Sequence, residues 1–269
     1  MSTSTSDPLV GVFLKIRRAN RHLADLDEAI KTALDRDRYS FTLEFDPQTN
    51  SHVYTAHGVP AIDADWSLIV GEILYNLRSA LDYLAWQLVI LDGGTPGDKT
   101  QVPVRASPFN KKGEWVTPQL QPPVSNPQVL DALEEVQPYR GPEGEPAAFH
   151  DSPLWRLGIL NNIDKHRLLL VVVCVLDVGE MWWTHQPEQP APNVRISTSP
   201  VEDGSPVAWF DFHGHEPPPD FDPHLALAVA INEAETPEIH LVPLSEALTQ
   251  LIWWVEFHIV QMRFASLFP

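Results

Sequence analysis

The sequence predicts an α+β fold: a four-helix-type bundle with an antiparallel β-sheet packed on one side. Three observations point there. Four long stretches repeat apolar residues at helical spacing, five to seven short segments carry strand signals, and the order is helix, hairpin, helix, helix, strands, helix. Strictly alternating strands and helices, which would signal a parallel sheet, are not seen.

Residues 1–7 read as a disordered tail, and 8–269 as a single α+β domain. From Pro8 to Arg38, Leu9, Val12, Phe13, Ile16, Ala19, Leu23, Leu26, Ile30 and Leu34 recur at helical intervals, with Pro8 suited to a first turn. Tyr39, Phe41, Leu43 and Phe45 then alternate with polar residues, D-P-Q-T-N turns the chain, and S-H-V-Y-T-A-H closes a hairpin. Residues 63–91 form the most organised stretch. Val70, Ile73, Leu77, Ala80, Leu81, Leu84, Leu88 and Leu91 line one side of a helix that stops at L-D-G-G.

Ten prolines between 92 and 150 forbid long regular elements there, apart from a short helix over 127–136. So long an irregular insertion acts either as a lid or as a structural wrap. Ser152 and Pro153 open another helix, running to Asn162. L-L-L-V-V-V-C-V-L (168–176) reads as a buried strand, and V-G-E turns the chain into M-W-W-T-H. Further strands are expected at Val194–Ser199, Val207–His213 and Leu225–Ile231. Pro243–Phe264 forms a last helix, apolar nearly all round and therefore expected inside the structure.

Composition excludes several classes. The net charge is −18, and residues 196–269 hold eleven acidic side chains against one basic. Gripping duplex phosphates needs a basic footprint, so extended duplex nucleic acid is ruled out as a partner while a short anion in a local basic pocket is not. One cysteine, Cys174, excludes an internal disulfide framework. The start M-S-T-S-T-S-D lacks a basic leader and an apolar segment, and no apolar run reaches the roughly 18 residues of a membrane span. No membrane partner and a cytoplasmic protein are expected. Phosphate loops, dinucleotide turns, nucleophile elbows and CxxC pairs are absent from the sequence, and no cofactor is implied.

Chemistry concentrates in three places. Opposite its core stripe, the 63–91 helix carries Glu72, Asn76, Ser79, Tyr83, Trp86 and Gln87, with Arg78 and Asp82 on the flank, a mixture suited to a pocket wall. Arg78 is a permanent forked donor for phosphate or carboxylate, and Asp82 one turn on can hold it in position. Asp164, Lys165, His166 and Arg167 follow Asn161 and Asn162 at a helix end, where cations either bind an anion or complement the helix dipole. In an extended chain Asp211, His213 and His215 project to one side, so a metal clip is geometrically open to them. The competing expectation is an exposed strand face running into a turn.

The segment N-L-R-S-A-L-D-Y-L-A-W (76–86) resembles one found in a group of uncharacterised bacterial proteins, which also carry N-I-D-K-H-R, matching Asn162–Arg167 here. That group's Arg-x4-His spacing is in turn similar to the HEPN signature. The resemblance implies a helical bundle that dimerises, with active members acting as metal-independent RNases. Arg78 matches the arginine, but Tyr83 stands where the histidine belongs. A phenol titrating near about 10 is a poor acid or base at neutral pH. The leading expectation is therefore a homodimeric HEPN-like binding or regulatory protein that takes a nucleotide or short RNA through Arg78, Lys165, His166 and Arg167. A metal-independent RNase or phosphodiesterase, with Arg78, Tyr83 and His166 catalytic, is one alternative. The other is a small-molecule-binding protein or metal-assisted enzyme with an aromatic-lined pocket.

Overall fold

The structure is a computed structural model, and describes residues 7–37, 39–140, 149–177, 190–219, 221–233 and 242–268. Helices α1 (Val10–Asp37) and α2 (Ala64–Leu91) run antiparallel along most of their length. Their contacts fall in opposite order along the two chains. Gly11 meets the Tyr83 ring, the Lys15 ammonium lies 5.3 Å from the Tyr75 ring centre, and His22 Nδ1 lies 3.3 Å from Glu72 Oε2. A β-carbon at position 11 would stand 2.8 Å from the tyrosine ring, so glycine sets the close approach there. The predicted stripe of α2 is buried from Val70 to Leu88, with Leu91 half-buried. Asp63 caps the helix, its side chain accepting from Asp65 N.

Helix α3 (Pro127–Glu135) sits within the proline-rich stretch, and α4 (Pro153–Asp164) packs against α2. The Asp164 carboxyl fills the space over Gly71, where a β-carbon would be 2.2 Å from its Oδ1. Over residues 92–140 the irregular segment is packed as a wrap. Val102, Leu120, Val124, Val129, Leu133 and Val136 are buried in the core shared by the helices. Asp92, just beyond α2, accepts from Ser125 N (2.7 Å) and Asn126 N (2.9 Å). Buried Gln137 bonds Pro103 O, Leu133 O and Arg105 N. A lid would lack such anchors.

The strands form two sheets, whereas the sequence predicted one. Strands β1 (Ser40–Asp46), β2 (Ser51–His57), β4 (Asn193–Ile196) and β5 (Pro206–Asp211) make an antiparallel sheet in the order β1-β2-β5-β4. Strands β3 (Val171–Asp177) and β6 (Leu225–Ile231) pair separately. Val171, Val229 and Ile231 of this ribbon enter the helical core, while Val173, Val175 and Leu227 meet Ala56 and Val207 of the larger sheet. The ribbon thereby joins helices to sheet. β3 starts three residues later than its apolar run, leaving Leu168 and Leu170 about half exposed. The expected M-W-W-T-H strand lies outside the described residues.

The last helix departs from expectation. It is α-helical over Leu244–Trp253 (α5) and π-helical over Trp254–Phe264. Val255, Ile259, Val260 and Phe264 are buried, but Trp253, Phe257 and Met262 are exposed. The segment is thus amphipathic rather than interior, and its exposed rings cover one another, Trp253 stacking on Phe257 at 5.3 Å. Among the described residues no helix is long and apolar enough to cross a membrane.

Candidate functional site

The outer side of α2 opens to solvent and is not a closed pocket wall. Tyr75 is 58% exposed, Tyr83 48% and Trp86 43%. Glu72 is exposed, Ser79 and Gln87 half-buried. Asn76 is buried and donates its Nδ2 to Glu72 O within the helix (2.7 Å).

Arg78 lies on the flank of this strip, under the wrap. Its Nη2 donates to Val102 O (3.0 Å) and Gln101 Oε1 (3.3 Å), and stands 3.1 Å from Asp82 Oδ1 one helical turn on. Among the described residues Nε and Nη1 have no partner, and the side chain as a whole is 15% exposed. Asp82 Oδ1 is buried and meets Arg78 as a charge without hydrogen-bond alignment. Burial raises the Asp82 carboxyl above its ordinary range, against the opposing pull of Arg78 and of Lys165. Lys165, from the end of α4 and 83 residues further along the chain, thus bears electrostatically on Asp82.

The remaining residues of the D-K-H-R segment divide. His166 is exposed, its backbone N–H bonded to Ile163 O. Arg167 turns to Glu233, in a two-pronged pair at 2.9 and 2.7 Å, and Glu233 Oε1 also accepts from Leu170 N. Glu233 is 2% exposed, so this arginine anchors the entry to β3. Burial also raises the Asp164 carboxyl, which faces Gly71. Tyr83 follows Arg78 by five residues, about 140° round an α-helix, and lies on the α1 side with the Lys15 ammonium 5.8 Å from its ring centre.

The metal clip is not realised, because β5 ends at Asp211 and the chain does not stay extended. Asp211 Oδ1 accepts from His213 N (2.8 Å), and His213 takes a left-handed conformation with φ 57°. Its ring instead reaches Ala191 O at 3.2 Å. His215 joins His52 and Glu216 at a small separate cavity of about 120 Å³. Among the described residues no three His, Cys, Asp or Glu side chains are placed to hold a metal ion.

Sequence reasoning missed Gln101, Val102, Lys15 and Glu233. Only Lys15, on the polar side of its helix, left a usable signal. The other three act through irregular chain or across long separations. The chain matches no known family model, no curated protein and no solved structure.

Proposed function

We propose that this chain is a homodimeric, HEPN-like binding module that recognises a nucleotide or the end of a short RNA. In this reading Arg78 makes the central contact, Lys165 and His166 add to it, and the ligand undergoes little or no chemistry. The observation that carries this reading is the state of Arg78, tethered through Nη2 and without a protein partner at Nε or Nη1 among the described residues. A guanidinium already held in place meets a phosphate without surrendering much further side-chain freedom. Lys165 adds a second positive charge, which acts on Asp82, the ion-pair partner of Arg78. Tyr83, in the place of an imidazole and turned to α1, favours recognition over cleavage.

The outer strip of α2 supports a second copy as partner. Leu68 and Ile90 stand eleven residues to either side of Ser79, Glu72 and Trp86 seven, Tyr75 and Tyr83 four. A two-fold axis through Ser79 sets each residue of an antiparallel helix pair against its counterpart, the self-complementarity an isologous contact requires. The small serine at the crossing lets the helices approach.

Fluorescence anisotropy with labelled single-stranded RNA of roughly eight nucleotides tests the ligand. Binding should weaken as salt rises, Arg78→Ala should weaken it by about tenfold or more, and the RNA should stay intact. No binding, or equal binding by Arg78→Ala, overturns this half. Sedimentation velocity tests the other: Ser79→Arg should convert a dimer to a monomer, and a wild-type monomer at every concentration contradicts it.

A further inference from the structure

A cavity of about 480 Å³ opens between the N-terminal half of α1 and the π-helical segment, well away in sequence from Arg78 and Lys165. Its floor is apolar, from buried Ile16 and half-buried Phe13. Exposed Arg17 and Gln261 and half-buried Glu256 also line it, and none of the three side chains has a polar partner among the described residues. Asn20 spends its Nδ2 on Ile16 O (3.2 Å), which leaves its carbonyl oxygen to a ligand. Asp7 uses Oδ1 to cap Leu9 N (2.8 Å) and keeps Oδ2.

The π-helix is what assembles this side of the cavity. Glu256 and Gln261 are five residues apart, about 140° round an α-helix, where they would face different neighbours. An i→i+5 ladder stacks residues five apart, so both reach one cavity. Such geometry is rare and is found disproportionately at functional sites; here it runs for eleven residues. Arg17 and Glu256 line the same cavity yet form no ion pair, so it offers one cation and one anion together with apolar Phe13 and Ile16.

We infer that this cavity binds a free α-amino acid with an apolar side chain. Its carboxylate meets Arg17, its ammonium meets Glu256 and the free oxygen of Asp7, and its side chain lies on Phe13 and Ile16. Asn20 and Gln261 supply the orienting hydrogen bonds. The volume falls within the roughly 300–1,000 Å³ of small-molecule sites, which are likewise apolar with a few converging polar groups.

Isothermal titration of the full chain with L-phenylalanine and L-leucine tests this, with N-acetyl-L-phenylalanine and L-phenylalaninamide as probes lacking one charge each. The free amino acids should bind saturably at one site per chain, and each blocked derivative should bind about tenfold more weakly or worse. Arg17→Ala and Glu256→Gln should produce the same loss, and Arg17→Lys should keep part of the affinity. Both positions are unpaired, so the variants should melt like the parent by circular dichroism. Absence of saturable heat with either amino acid overturns the inference. So does affinity that survives in both variants, or blocked derivatives that bind as well as the free amino acids.

Discussion

Helix α2 and the C-terminal helix are both strongly apolar, yet they treat their residues differently. α2 keeps regular α geometry over 28 residues, so spacing alone decides which side chains go in: Leu77, Leu81, Leu84 and Leu88 inward, Tyr75, Tyr83 and Trp86 outward. The C-terminal helix changes its period at Trp254, and from there a residue's facing no longer follows the α rule. Regular geometry puts a residue such as Arg78 on a flank that periodicity can identify. Changed geometry gathers residues, as with Glu256 and Gln261, that periodicity separates.

The comparison can be broken hardest at the buried positions. Phe264→Ala in the π segment should cost about 3–5 kcal/mol and Leu81→Ala in α2 about 2–5 kcal/mol by urea denaturation, since both side chains are fully buried. A cost below about 1 kcal/mol at Phe264 would mean that the π segment frays and does not hold the core.

Acid should separate the two regions by sign. His258, stacked on Trp254, is held below the usual imidazole range by burial and by Arg263, with Glu135 opposing. The unfolded chain therefore takes up this proton first, so stability contributed by neutral His258 is lost as pH falls through about 6.5. His258→Gln should flatten that part of a stability–pH curve. An unchanged slope would contradict the assignment.

Asp82 and Asp164 carry the opposite sign, because burial raises both carboxyls. Their folded-state cost is present above the raised value and is relieved as pH falls through it. Asp164→Asn should give a small rise in melting temperature at neutral pH that shrinks toward the carboxylate range. A fall at pH 7 would show that Asp164 supports the Gly71 contact through its charge.

Much of this was legible before any coordinates. Asp63 and L-D-G-G bound α2 to within a residue, Leu225–Ile231 is a strand as expected, and the Arg78–Asp82 pair follows from a one-turn spacing. What escaped depends on non-local or irregular chain. Gln101 and Val102 reach Arg78 from a stretch whose prolines erase periodicity. Glu233 claims Arg167 from 66 residues away. The split into two sheets rests on which strands meet across the molecule, which alternation along one strand does not encode. Trp253 and Phe257 are exposed because a helix apolar all round still needs an outer side when only part of it is covered.

The central claim is that the flank of α2 around Arg78, joined by Lys165, is where an anionic ligand docks. Hydrogen exchange measured with and without a short single-stranded RNA tests it most directly. Slower exchange is expected at residues 99–103, beside the Arg78 tether, and at 164–168, with the C-terminal helix unchanged. Protection confined to 254–264, or no protection at saturating RNA, would contradict it.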